Sequence, residues 1–77
     1  MGRQPRITGR DLLRALVRSG YEVARQRGSH VQVRKFVEGR KVTFPVPVHS
    51  GKLVKPGTLH IILRLAGMSV EDLERLL

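Results

Sequence analysis

Residues 21–47 read YEVARQRGSHVQVRKFVEGRKVTFPVP, and apolar and polar side chains alternate through most of this segment. Alternation with a period of two is typical of half-buried β-strands. Glycine-containing breaks at residues 27–29 and 38–39 divide the segment into three parts. The pattern predicts three consecutive strands joined as antiparallel hairpins, over residues 21–25, 30–36 and 41–46.

The length of its loop predicts the register of the second hairpin. A two-residue loop at Glu38-Gly39 pairs Val33 with Phe44. The same register pairs Val31 with Val46. Both pairs place apolar side chains on one face, as a half-buried sheet requires.

The first hairpin needs a longer loop to keep the same apolar face. A two-residue loop puts Val23 on the face opposite Val31. A three-residue loop at residues 27–29 instead pairs Val23 with Val33. We therefore predict the three-residue loop, with Gly28 in a left-handed conformation. The other face of the sheet then carries His30, Gln32 and Arg34, with Thr43 and Pro45 beside them.

Helical patterns flank the strands on both sides. Apolar residues recur at helical spacing over residues 9–19, where Thr8 is suited to cap the helix and Gly20 to end it. A second helix is predicted to start at Pro56, and a third, short helix follows Ser69.

The element order is therefore α-β-β-β-α-α. This order predicts an α+β fold in which helices cover one face of a three-stranded antiparallel sheet, the arrangement of double-stranded-RNA-binding domains. A chain of 77 residues has room for one small core. We expect a flexible basic arm over residues 1–7 and a single domain over residues 8–77.

The charge of the chain favours nucleic acid as its partner. The formal net charge is +9, and residues 1–64 hold 14 basic and 3 acidic side chains. Such a surface attracts polyanions, although it could also meet an acidic protein. The absence of cysteine excludes disulfides and cysteine-based zinc sites. No apolar run is long enough to span a membrane and no signal-peptide pattern is present, so we expect a soluble cytoplasmic protein without membrane partners.

Two histidines are candidates for proton transfer. His30 opens the second strand on the polar face, and an imidazole can give and take a proton near neutral pH. His49 lies in a basic loop. Three interpretations of it remain open: a second proton-transfer group, a phosphate contact or an ordinary loop residue. Spacing alone also allows His30 to be an ordinary exposed histidine. Lys52 and Lys55 precede a helix start that could hold a phosphate.

Three segments together resemble one known family. These are Gly28-Ser29-His30, then Pro47-Val48-His49, then Lys55-Pro56-Gly57-Thr58-Leu59. In this order and spacing they resemble the HicA toxins, also called YcfA-like proteins. The resemblance extends over residues 8–72, although family members often carry Arg where this chain has Val48.

The resemblance implies a definite activity. HicA proteins are messenger-RNA interferases of type II toxin–antitoxin systems with a double-stranded-RNA-binding-like fold. It implies that His30 is catalytic, that neither a metal nor a small-molecule cofactor is required, and that a HicB-type antitoxin blocks the site. With messenger or other single-stranded RNA as substrate, we expect the RNA-binding residues to be Arg25, Arg27, Gly28, Ser29, Gln32, Arg34, Lys35, His49, Lys52 and Lys55.

Two other functions remain open at this point. One is a non-catalytic RNA-binding module that uses the same basic face. The other is a DNA-binding protein, although no segment reads as a helix-turn-helix. The first alternative predicts binding without cleavage, and the second predicts a preference for duplex DNA.

Overall fold

The computed structural model describes residues 5–77, and its sheet has the predicted three antiparallel strands in sequence order. The fold class is α+β, as predicted, with helices packed against one face of the sheet. The elements are α1 (Gly9–Arg18), β1 (Glu22–Arg27), β2 (His30–Val37), β3 (Arg40–Pro47), α2 (Pro56–Ala66) and α3 (Val70–Leu76).

The β2–β3 hairpin has the register predicted from its loop. Val33 pairs with Phe44, and Val31 pairs with Val46. The two turn residues, Glu38-Gly39, both have positive φ, at 51° and 80°. Turns of this kind match the right-handed twist of the strands they join, so the loop fixes the register.

The β1–β2 hairpin corrects one prediction and confirms another. Its turn has two residues rather than three, because Arg27 pairs directly with His30. Val23 nevertheless pairs with Val33, since the extra residue lies in a β-bulge between Val23 and Arg25 instead of in the turn. Gly28 has the predicted left-handed conformation, with φ at 60°. Val23 remains 49% exposed, because β1 is an edge strand.

The core lies between the helices and one face of the sheet. Its buried hydrophobic residues form one cluster, and within residues 5–77 no residue of a polar or charged type is buried. Leu12 and Leu16 of α1 pack there with Val33 of β2. The whole set is Ile7, Leu12, Ala15, Leu16, Tyr21, Val31, Val33, Phe44, Val46, Val54, Leu59, Ile62, Leu63 and Leu73.

The segment before α1 is tied to the loop before α2. Of the arm predicted over residues 1–7, residues 1–4 lie outside the described residues. Ile7 belongs to the core, at 3% exposure, and its carbonyl accepts a hydrogen bond of 2.8 Å from the Val54 N–H. Thr8 forms a bridge with Leu53 and caps α1 by accepting from the Asp11 N–H.

Candidate nucleic-acid interface

One face of the sheet carries no helix and forms the candidate site, which we call the open face. Side chains of alternate β2 residues, beginning with His30, project from it. A shallow depression of about 530 Å³ lies on this face. Its lining residues are Ala24, Arg25, Arg27, His30, Gln32, Arg34, Lys41 and Thr43.

The β-bulge places two arginines beside His30. Arg25 pairs with Gln32 and Arg27 pairs with His30, so both share the open face. In an unbroken strand, a residue two positions after Val23 would lie on the same face as Val23, over the core. The bulge therefore reverses the side on which the end of β1 projects and concentrates positive charge at the start of β2.

His30 lies at the centre of this arrangement. It is the first residue of the middle strand, with Arg27 opposite it on β1 and Pro47 opposite it on β3. Its side chain is exposed. Gly28 and Ser29, which form the turn before it, determine where the strand begins.

Polar contacts fix the side chains farther along the open face. The Gln32 amide donates to the hydroxyl of Thr43 at 2.9 Å, and that hydroxyl donates to the Val33 carbonyl at 2.8 Å. The Nε of Arg34 donates to the Glu22 carboxylate at 2.7 Å. Within residues 5–77, Arg25 and Arg27 form no ion pair. A ligand phosphate can therefore bind these two guanidiniums without displacing a carboxylate of the described residues.

His49 is brought next to His30 although the two are far apart in the sequence. Their ring centroids are 6.5 Å apart and the rings meet edge to face, at 78°. Beyond His49, a second depression of about 280 Å³ contains Lys52 and Lys55. The two lysines, which are predicted phosphate contacts, therefore lie beside His49 and not in the depression that contains His30.

Lys35, another predicted RNA-binding residue, lies on the opposite side of the sheet from His30. It follows Val33 by two positions and so projects from the covered side of β2. Its ammonium donates to the Ser19 carbonyl at 2.8 Å and lies 5.4 Å from the centre of the Tyr21 ring. Lys35 therefore joins α1 to the sheet and does not contribute to the open face.

Three residues near the site were absent from the sequence prediction. Lys41 lines the depression on the open face, and Arg10 borders a third depression together with His49. Phe36 lies on the same side of β2 as His30 and is 65% exposed. Counting alternate residues along β2 and β3 places Phe36 and Lys41 on the open face. Arg10 lies near the site only because α1 packs there, which the alternation does not predict.

Neither a metal site nor a membrane-spanning helix is found in the described part of the chain. Residues 5–77 hold no group of three or more histidine, aspartate or glutamate side chains arranged to bind a metal ion. In the same residues, no helix is long and apolar enough to cross a membrane.

The fold and the site define a small α+β protein with one cationic, uncovered sheet face. A family model described as the HicA toxin of bacterial toxin–antitoxin systems matches residues 9–68. The match spans most of the chain, and the protein belongs to the HicA toxin family. It is thus a member of a toxin family of toxin–antitoxin systems, for which an antitoxin is the expected partner. No curated protein and no solved structure gives a significant match.

Proposed function

We propose that this protein is an endoribonuclease that cleaves messenger RNA in the cytoplasm without a metal ion, with His30 as its catalytic residue. The observation that carries the proposal is the position of His30, an exposed imidazole on an open face lined by arginines. An imidazole at this position can transfer a proton to or from a ribose or phosphate oxygen.

The arginines beside His30 supply the electrostatic part of the reaction. Attack of a ribose 2′-hydroxyl on its own phosphate adds negative charge to the phosphate oxygens. Guanidinium groups fixed near those oxygens stabilise this charge, and they fork phosphate oxygens better than ammonium groups do. Arg25 and Arg27 suit this role because neither is paired with a carboxylate of the described residues.

Phe36 gives the open face a place for a base. It lies six positions after His30 in an extended strand, which corresponds to about 20 Å. A single strand of RNA laid along β2 would meet arginines near His30 and an aromatic ring near Phe36. Stacking on aromatic rings favours unpaired bases, so we expect single-stranded RNA to bind better than duplex.

The donor set around His30 favours chemistry without a metal. The depression contains guanidinium, ammonium, amide and hydroxyl groups beside the imidazole, and no carboxylate lines it. Cationic neighbours oppose a divalent cation, and hard cations prefer carboxylate oxygens. Proton transfer by imidazole then replaces activation by a metal ion.

A HicB-type antitoxin would neutralise the enzyme by covering the open face. The described face is cationic, and the chain as a whole carries a net charge of +9. An acidic protein surface complements it and competes with RNA for the same groups. Added antitoxin should therefore displace RNA from the protein in a binding measurement.

The test is cleavage of a single-stranded RNA in EDTA by the wild type, His30→Ala and His60→Ala proteins. His60 is an exposed histidine of α2 outside the three depressions, which makes it the matched control. We expect the wild type and His60→Ala to cleave and His30→Ala to lose at least about 10²-fold in rate.

The outcomes separate the candidate functions. Equal cleavage by His30→Ala and the wild type would remove His30 from the mechanism. Salt-sensitive RNA binding without cleavage by any of the three proteins would favour the non-catalytic RNA-binding module. A preference for duplex DNA would contradict both.

A further inference from the structure

The imidazole rings of the two histidines of the site lie close enough together to serve one phosphodiester. The ring centroids of His30 and His49 are 6.5 Å apart, with the rings edge to face. A proton-transfer group must come within about 2.6–3.2 Å of the oxygen it serves. Two rings at this separation can therefore reach different oxygen atoms of the same linkage.

The backbone, rather than a side chain, holds His49 in this place. Pro47 pairs with His30 across β2 and β3. One residue later the Val48 N–H donates to the Ser29 carbonyl at 2.6 Å. The backbone is thereby joined directly before each histidine, so the segments that carry the two imidazoles are held side by side.

We propose that His49 is the second proton-transfer group of the reaction, acting with His30 as a general acid–base pair. The neutral imidazole takes the proton of the ribose 2′-hydroxyl while the O2′–P bond forms. The protonated imidazole gives its proton to the 5′-oxygen while the P–O5′ bond breaks. The products are a 2′,3′-cyclic phosphate and a 5′-hydroxyl, and no proton is gained or lost overall. This inference rests on the proposed ribonuclease function.

The charged groups that line the depressions around the pair are cationic, and the Glu22 carboxylate on the open face is bonded to Arg34. His30 shares its depression with Arg25, Arg27, Arg34 and Lys41. His49 is bordered by Arg10 of α1 and by Lys52 and Lys55 of the following loop. No acidic side chain lines the three depressions that contain either histidine. The pair therefore works beside groups that stabilise the phosphate charge in the transition state.

An acid–base pair has a kinetic signature that a phosphate contact lacks. One imidazole must be neutral and the other protonated, so kcat/KM passes through a maximum as pH rises. Removal of His49 then abolishes one limb of this profile. Removal of a simple phosphate contact lowers the whole profile and keeps both limbs.

The decisive substrate is an RNA in which sulfur replaces the bridging 5′-oxygen at the cleaved linkage. A thiolate leaves without a proton, so this linkage needs a base but no acid. We expect His49→Ala to lose about 10²–10⁴-fold on ordinary RNA. We also expect one of the single variants, His30→Ala or His49→Ala, to regain most of the wild-type rate on the sulfur linkage, and that variant lacks the acid. His49→Gln, which keeps a polar side chain, should lose the same limb of the pH profile, and His60→Ala should behave as the wild type.

The results distinguish this proposal from the one on which it depends. If His49→Ala cleaves ordinary RNA at the wild-type rate, the pair is excluded while the His30 ribonuclease stands. The pair is also excluded if His49→Ala is slow but keeps both limbs and neither variant recovers on sulfur. If the wild type cleaves neither substrate, the ribonuclease function itself fails. Thermal melting checks that each variant is folded, which we expect because both imidazoles are exposed.

Discussion

Phe36 is an aromatic side chain that the fold does not use. Tyr21 and Phe44 pack against each other in the core, with ring centroids 5.3 Å apart. Phe36 stays 65% exposed on the open face, which forgoes much of the roughly 1.5–3 kcal/mol that burial of such a side chain gives. Its exposure is accounted for if a base stacks on the ring.

We predict that Phe36→Ala weakens binding of single-stranded RNA by about 1–3 kcal/mol, which is roughly 5- to 150-fold in affinity. Phe36→Trp should bind at least as well as the wild type. Fluorescence anisotropy in a His30→Ala background measures this without cleavage. The control is Val17→Ala, which removes an exposed apolar side chain from α1. Equal losses for the two substitutions would contradict a stacking role.

Asp72 links the stability of α3 to pH. Its carboxylate accepts a hydrogen bond of 3.0 Å from the Ser69 N–H and lies 3.1 Å from the guanidinium of Arg75. The backbone hydrogen bond from Ser69 is the main cause that lowers the pKa of Asp72 below its ordinary value. Since folding lowers this pKa, ionised Asp72 stabilises the protein above the unfolded pKa. This contribution is lost as pH falls through the folded pKa.

We predict that Asp72→Asn lowers the Tm at neutral pH and that the difference from the wild type shrinks on acidification. The measurement is thermal melting at a series of pH values. Glu71→Gln is the matched control, because Glu71 lies in the same first turn but outside the capping box. A difference that stays constant at every pH would show that ionisation of Asp72 does not contribute.

The contact between α1 and β3 fixes the segment that carries His49. Gly9, the first residue of α1, is buried against the end of β3. A Cβ atom at this position would overlap the Pro47 carbonyl oxygen and lie 2.8 Å from the Val48 Cα. Both neighbours are backbone, so they cannot rotate away as a flexible side chain would.

We predict that Gly9→Ala lowers the free energy of unfolding by about 1–3 kcal/mol through overpacking. It should also slow RNA cleavage, because the chain before His49 must move. Gly57→Ala is the control, since Gly57 lies in the first turn of α2 with no atom within 4 Å of the added Cβ. That variant should be neutral or more stable by up to about 1 kcal/mol. Urea unfolding and initial cleavage rates, measured on both variants, test the prediction.

The two hairpins show what the sequence predicts and what it does not. The register of β2 and β3 follows from Glu38-Gly39, because a tight turn is a local property of two residues. The bulge in β1 has no comparable local signature, so the sequence pattern places the extra residue in the turn instead. The predicted pairing of Val23 with Val33 is confirmed, because a three-residue turn and a two-residue turn with a bulge place the same number of residues between them.

The candidate site divides in the same way. Counting alternate residues predicts that His30, Gln32 and Arg34 share the open face. The same count places Lys35 on the opposite face of β2. The approach of His49 to His30 depends on contacts between the turn before β2 and the end of β3. Contacts between distant segments leave no periodic trace in a single sequence.

The distribution of charge over the molecule determines how its expected affinity for RNA depends on salt concentration. The unpaired cations of the open face would displace counterions from bound RNA, with a slope of about −0.7 in log K against log salt for each phosphate neutralised on a single strand. We predict that Arg27→Gln makes this slope shallower by about 0.7. Arg14→Gln, which changes an α1 arginine beside Asp11, should leave the slope unchanged. A slope near zero for the wild type would contradict phosphate contacts altogether.

The core and the open face share almost no side chains. The buried cluster is formed by hydrophobic residues, whereas His30, Arg25 and Arg27 are exposed. An allele that lost His30 would therefore still encode a folded protein with nearly the same surface. In a cell that carries both alleles, the inactive product would occupy part of the antitoxin and leave more of the intact toxin unopposed. If the protein is the ribonuclease proposed above, loss of His30 would thus differ in phenotype from deletion of the gene.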